Sequence, residues 1–393
     1  MKRTREAIIL AGGFGTRLAH VVPDVCKPMA PVADRPFLRY VFDQLDAAGF
    51  GHVVVADGYR REQIESYFMG TYRGLQIDYS PEEEPLFTGG AVKKALRLCS
   101  NDYVFVLNGD TWFDVDFAAL EATAERCKPT AVLAAKRMWN FDRYGTLDVA
   151  QDGIVRAFNE KRPCAEGLIN GGVYLLRRDA LNFMPTNFSL ETDFFEKVVG
   201  NGALSALECC GSFIDIGVPA DYERAQGMFE GRSSVSCRLA MFDRDGTINV
   251  DIGHLHEPEK IKLIPQTVKA MRRYAEDPEW KIAVVTNQAG IAKGLYGVRE
   301  MRETNDALER MLQHFGVGID AWYYCPHHPN YTGECECRKP KPGMLLRAMR
   351  DFYARPENCV MYGDTEKDRL AAESAGVRFI AVENETSEGD DAV

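Results

Sequence analysis

Ala7-Ile-Ile-Leu-Ala11-Gly12-Gly13-Phe14-Gly15-Thr16-Arg17-Leu18 opens the first recognisable element of the chain. Five apolar residues in a row read as a strand covered on both faces. The three glycines after it let the main chain approach a triphosphate closely, while loop N–H groups and Arg17 supply donors and charge. Lys27, in Lys27-Pro28, adds a second cation. A dinucleotide turn starting at Gly13 needs Gly or Ala at position 18, which is Leu, and a Walker loop needs Gly-Lys-Ser/Thr, which is absent. What remains is a phosphate cradle of Gly12, Gly13, Gly15, Thr16, Arg17 and Lys27.

Outward from that loop, short apolar runs at 52–56 and 103–107 alternate with helical spacing over 37–48, 60–68 and 91–99. The alternation predicts a parallel α/β sheet with covering helices. Strand-and-turn patterns at 131–136, 146–150 and 172–176 predict an antiparallel addition, and a helix over 220–229 closes the series. A second series starts at 238–242 and continues through 281–285, 360–362 and 379–382. At 393 residues the chain is long enough for two domains. Their expected limits are 1–230 and 238–385, with a polar linker at 231–237 and an acidic, disordered tail at 386–393.

The net charge of −11 removes the basic surface that nucleic acid or an anionic membrane requires. No apolar run approaches the roughly 20 residues of a spanning helix. Lys2, Arg3 and Arg5 precede an apolar stretch too short for a signal peptide, so a cytoplasmic protein is expected. Eleven cysteines, an odd number in a long chain, argue against a disulfide framework. Composition leaves the oligomeric state open.

Further motifs accompany the cradle: Asn108-Gly109-Asp110, Phe158-x-Glu160-Lys161, Asn170-Gly-Gly172, Phe213-Ile-Asp215-Ile-Gly217 and Pro85-Leu-Phe-Thr-Gly89-Gly90-Ala91. With Gly12-Gly13-x-Gly15-Thr16-Arg17-Leu18 and Lys27-Pro28, residues up to about 230 resemble the sugar-1-phosphate nucleotidyltransferases. The resemblance implies Mg²⁺ on Asp110 and Asp215, a base-side loop at Gly89 and Gly90, and sugar-phosphate contacts from Gly145, Glu160, Lys161 and Asn170. Phe87 stands where that family usually has Gly. Two carboxylates can hold Mg²⁺ against an α-phosphate while Lys27 and Arg17 neutralise the leaving pyrophosphate. The attacking sugar phosphate is already ionised, so no general base is needed. The stretches 108–116, 141–146 and 167–172 look most like the heptose-1-phosphate guanylyltransferase branch, with mannose-1-phosphate guanylyltransferases as close neighbours. GTP and heptose 1-phosphate are the implied substrates.

In the second series, Asp243-Arg-Asp245-Gly-Thr247 follows the apolar run 238–242. The first aspartate suits a nucleophile and the second a general acid, because side chains two apart diverge at a strand end. Asp364 can complete a Mg²⁺ site with Asp243 and the Asp245 carbonyl, and Thr286 and Lys339 can bind the transferring phosphoryl group. Residues 237–385 thereby resemble the haloacid dehalogenase superfamily. About forty residues separate Asp243 from Thr286, which leaves no room for a large cap.

Cys325-Pro-His327-His328 and Cys335-Glu-Cys337 have the spacing of a closed Cys₃His zinc site, with His328 the less suited histidine. With Asp243-Arg-Asp-Gly-Thr-Ile-Asn and Val285-Thr-Asn287-Gln288, the set looks like heptose 1,7-bisphosphate 7-phosphatases. Histidinol-phosphate phosphatases share the aspartates and the zinc cluster. The resemblance implies substrate contacts from Asp251, His254 (where Tyr is common), Asn287, Gln288 and Arg338. The two halves then form consecutive steps from heptose 1,7-bisphosphate to a GDP-heptose for a surface polysaccharide or glycoprotein. The competing reading joins a mannose-1-phosphate guanylyltransferase to another small-molecule phosphatase.

Overall fold

The computed structural model describes residues 5–15, 17–18, 20–200, 202–230 and 237–382. Thr16, most of the expected linker and the expected acidic tail lie outside the described residues. The chain divides into two compact units, Met1–Arg232 and Ser233–Val393.

A mixed ten-stranded sheet forms the first unit. Strand β1 (Arg5–Ala11) is central and pairs in parallel with β2 (Phe50–Asp57) and β3 (Tyr103–Asn108). Its alternate residues serve two cores. Ala7 and Ile9 pack with Phe37, Val41 and Phe42, whereas Ile8 packs with Val92, Leu96 and Phe195. Burial on both faces is why its sequence is apolar without alternation. The expected antiparallel addition is β4 (Cys164–Arg177), which pairs antiparallel with β3 and with a strand over Ala131–Phe141. A short strand, β5 (Phe213–Asp215), pairs with Thr111–Phe113 and sets two aspartate loops side by side.

Helix α1 spans Phe87–Ala95, four residues ahead of the expected start at 91. Gly89 and Gly90 suggest a loop in the sequence but are packing residues here. A Cβ on Gly89 meets the Phe188 ring at 2.2 Å, and one on Gly90 meets the Thr186 carbonyl oxygen at 2.1 Å. The helix thus lies closer to the 186–188 segment than any larger residue allows.

The second unit holds a five-stranded parallel sheet. Its strands are β6 (Arg238–Phe242), β7 (Trp280–Asn287), β8 (Ala321–Cys325), β9 (Cys359–Gly363) and β10 (Arg378–Ala381), in the order β8-β7-β6-β9-β10. The order reverses at β6, where open α/β sheets place their ligands beyond the carboxyl ends of the strands. Between β6 and β7 the structure has loops, a 3₁₀ turn and the helix Pro265–Ala275, and no additional domain among the described residues.

Candidate active sites

In the first unit the carboxyl ends of β1, β3 and β5 carry the charged groups. Lys27 forms an ion pair with Asp110, and its Nζ lies 3.8 Å from Asp215 Oδ1. Burial, followed by the facing Asp110, pushes the Asp215 carboxyl above its usual range, while Lys27 opposes the shift. Two carboxylates crowded in this way, with oxygen donors only, suit Mg²⁺. Gly15 has φ +60, and a Cβ there meets Lys27 Cβ at 2.9 Å, so the glycine lets the loop close on the lysine. Arg17 is exposed beside it.

Asn170-Gly171-Gly172 forms an irregularity in β4, where its register against Ala131–Phe141 shifts. Gly172 (φ +71) brings this bend so close to Asn108 that a Cβ meets Asn108 Nδ2 at 2.6 Å. Asn170 donates to Tyr174 Oη at 2.8 Å, Tyr174 donates to Glu191 at 3.3 Å, and Thr88 donates to Glu191 at 2.7 Å. This chain of bonds ties Asn170, expected to contact the sugar phosphate, to helix α1. The sequence reading missed Glu191 and Tyr174, which lie in no motif. Gly145 closes on the Asn159 carbonyl, while Glu160 and Lys161 project exposed.

A cleft of about 660 Å³ is lined by Gly12, Gly13, Phe14, Tyr59, Phe87, Asp110 and the carboxylates Glu82, Glu83 and Glu84. Gly89 and Gly90, expected to bind nucleotide, do not line it. Both donate their N–H groups to the Phe188 carbonyl, at 2.9 and 3.2 Å, and are buried. Their N–H groups are thus already engaged within the protein.

In the second unit Asp243 is buried, with Lys339 Nζ 2.9 Å from its Oδ1. The same ammonium lies 2.5 Å from Asp368 Oδ1 and donates to the Val285 carbonyl at 2.8 Å. Burial pushes the Asp243 carboxyl up to about 7 against the pull of Lys339. Asp243, Asp364 and Asp368 each offer an oxygen within 4.8 Å of the others, a donor set that suits Mg²⁺. Asp368 escaped the sequence reading. It sits at the third position of the helix Glu366–Ser374, and its signal was the capping box Thr365-x-x-Asp368. Gly246 explains the Asp-Gly-Thr motif: at φ +83, a Cβ there meets Asp364 Oδ2 at 2.1 Å.

The Asp245 side chain turns away from that cluster. It accepts from Arg244 (2.9 Å), Asn249 (3.1 Å) and Gln288 (3.0 Å), which leaves its carbonyl as the group available to a cation. Gln288 is buried, bonds Thr286 Oγ1 at 2.9 Å and accepts from Tyr296 at 2.7 Å. Its amide nitrogen holds Asp245 and Thr286. Asn287 likewise bonds the Lys339 main chain in both directions, at 3.1 Å each. Arg338 donates to the His327 carbonyl at 3.1 Å. His254 sits at φ +56 with Nε2 3.1 Å from Lys293 Nζ, and the Asp251 carboxylate accepts from Gly253 N–H.

Cys325, His327, Cys335 and Cys337 converge. Their sulfurs are 3.3, 3.4 and 3.6 Å apart, and His327 Nδ1 lies 3.4 and 3.7 Å from Cys337 and Cys325. A tetrahedron with Zn–S bonds of about 2.3 Å has edges of about 3.8 Å, so the donors fit zinc after a small expansion. His328 instead accepts from Asn330 N–H and caps a short helix.

Comparison with known proteins agrees with this division. The nucleotidyl transferase family model matches residues 6–230, and the HAD-hydrolase-like model matches residues 336–393. The chain belongs to the nucleotidyl transferase family, with a second unit of the haloacid dehalogenase hydrolase type: it is an enzyme with two activities. D-glycero-alpha-D-manno-heptose 1-phosphate guanylyltransferase of Campylobacter jejuni is 44% identical over 222 residues, which is 55% of this chain and 96% of that protein. D-glycero-beta-D-manno-heptose-1,7-bisphosphate 7-phosphatase of Haemophilus ducreyi is 38% identical over 146 residues, 36% of this chain and 80% of that protein. The crystal structure of HddC from Yersinia pseudotuberculosis superimposes with a TM-score of 0.53 at 31% identity, covering 58% of this chain and all of that one. Among the described residues no helix is long and apolar enough to cross a membrane.

Proposed function

We propose that the second unit removes the 7-phosphate of D-glycero-D-manno-heptose 1,7-bisphosphate. The first unit then transfers GMP from GTP to the resulting heptose 1-phosphate, making GDP-D-glycero-α-D-manno-heptose. The observation that carries this reading is that each unit holds its own full charged constellation, Lys27–Asp110–Asp215 in one and Asp243–Lys339–Asp364–Asp368 in the other. The product of one chemistry is the substrate of the other.

In the second unit, ionised Asp243 attacks phosphorus and the P–O7 bond breaks. Asp245, oriented by Arg244, Asn249 and Gln288, gives its proton to the leaving oxygen. Water then displaces phosphate from the aspartyl phosphate, with Asp245 taking back a proton. Lys339 and Thr286 hold the phosphoryl oxygens. In the first unit an oxygen of heptose 1-phosphate displaces pyrophosphate from the α-phosphorus, and Arg17 and Lys27 offset the charge that builds on the leaving group. Mg²⁺, held by Asp110 with Asp215 and by Asp243 with Asp364 and the Asp245 carbonyl, supplies further positive charge at both phosphorus atoms when bound. Zinc on Cys325, His327, Cys335 and Cys337 serves structure, fixing the loop that ends in Arg338 and Lys339.

Guanine is the base favoured by the cleft. It presents adjacent N–H donors that a carboxylate accepts as a pair, and Glu82, Glu83 and Glu84 are among the residues that line the cleft. The printed names of the two relatives specify different anomers, α for the transferase and β for the phosphatase. Consecutive action therefore requires this second unit to accept the α-bisphosphate.

Asp243→Asn and Asp110→Asn test the assignment together. The first abolishes phosphate release and spares guanylyl transfer from supplied heptose 1-phosphate; the second does the reverse. Loss of both activities in either variant contradicts separate sites.

A further inference from the structure

Phe87 begins helix α1 with φ +57, the left-handed region. For a bulky side chain that conformation is strained, and Gly adopts it freely. Burial does not offset the cost, because Phe87 is 65% exposed and its ring has no aromatic partner among the described residues. The ring is nevertheless placed on the wall of the 660 Å³ cleft. Two further exposed aromatics line the same cleft, Phe14 (59% exposed) and Tyr59 (37%), with ring centroids 5.4 Å apart. Phe14 lies within the glycine cradle and Tyr59 directly follows Gly58, so the aromatic wall adjoins the phosphate end of the cleft.

Apolar rings left open to water on a cleft wall suit a flat, polarisable ligand face, and a nucleobase offers one. We infer that Phe87 stacks on the purine of the incoming nucleoside triphosphate and adds binding strength for the base. The inference rests on the nucleotide reading of the cleft given above. It assigns the ring to ground-state binding of the base, so its loss raises KM for GTP and leaves kcat with saturating GTP close to wild type.

Calorimetric titration of the full chain in Mg²⁺ with GTP, and separately with inorganic tripolyphosphate, tests this. Phe87→Gly is expected to weaken GTP about tenfold or more, the range of base–aromatic stacking, while tripolyphosphate binds within about twofold of wild type. Phe87→Tyr keeps GTP affinity. Because Gly relieves the backbone, Phe87→Gly is also expected to unfold at the same or a higher temperature, which separates lost stacking from lost fold. GTP binding by Phe87→Gly as tight as wild type, or a parallel loss of tripolyphosphate, overturns the inference alone. A wild-type chain that binds tripolyphosphate but gains nothing from the nucleoside overturns it together with the nucleotide reading.

Discussion

The Asn287 side-chain amide spans the main chain of Lys339, donating to its carbonyl and accepting from its N–H, both at 3.1 Å. Residues 52 positions apart are locked as two strands would be, and Lys339 reaches Asp243 and Asp368 from that fixed base. An ammonium buried at 2% exposure must be placed with little freedom, since its two carboxylates are buried as well.

Asn287→Ala is therefore expected to lower phosphatase kcat by about 10–100-fold with a smaller change in KM, as positioning losses do. Guanylyl transfer by the same protein stays at the wild-type rate. Steady-state phosphate release against heptose 1,7-bisphosphate reads the effect, and a variant with unchanged kcat contradicts the positioning role.

Gly246→Ala is expected to remove phosphatase activity more completely than its size suggests. The new Cβ meets the Asp364 carboxylate at 2.1 Å and the residue must keep φ +83. Either the carboxylate or the turn has to move. Mg²⁺ titration of activity checks this: the expected result is a higher Mg²⁺ requirement with residual turnover, and an unaltered Mg²⁺ curve argues against Asp364 as a ligand.

Much of both sites was legible in the sequence because their residues sit in loops directly after apolar strands, where the motif and the strand end coincide. The Lys27–Asp110–Asp215 group, the Asp243–Lys339 pair and the Cys₃His cluster are brought together from motif positions. Three kinds of information were not local. Gly89 and Gly90 look like part of a base-side loop, and only the approach of Phe188 and Thr186 shows them as packing glycines. Glu191 and Tyr174 join the site through hydrogen bonds over long sequence distances. Asn287 and Gln288 belong to a motif, but their amides face inward and hold neighbouring groups.

Zinc should copurify at about one atom per chain, a content that plasma mass spectrometry measures. Cys337→Ser is expected to lose that zinc and the phosphatase activity together, because the loop that carries Arg338 and Lys339 loses its staple. Guanylyl transfer survives. Full phosphatase activity in a zinc-free Cys337→Ser protein contradicts the structural metal.

His52 lies between two carboxylates, with Nδ1 3.0 Å from Glu6 and Nε2 3.0 Å from Asp78. Burial opposes its charge, yet the hydrogen bonds to Asp78 and Glu6 win and raise the imidazole from 6.5 to about 9. A raised folded-state value stabilises in full below about pH 6.5, and the contribution fades as pH climbs through 9. Wild type is expected to lose about 2–3 kcal/mol of unfolding free energy over that range relative to His52→Gln. Urea unfolding of both proteins at pH 6 and pH 10 checks it; equal pH dependence in the two proteins contradicts the ion triad.

The most direct test of consecutive action is ³¹P NMR of the full chain with Mg²⁺, GTP and heptose 1,7-bisphosphate, supplied as the α anomer and, in a second tube, as the β anomer. The account predicts that with the α anomer the 7-phosphate resonance is replaced by inorganic phosphate first. Pyrophosphate and the paired doublets of a GDP-sugar then follow. Phosphate release from the β anomer alone, or a GDP-sugar that still carries its 7-phosphate, would contradict it.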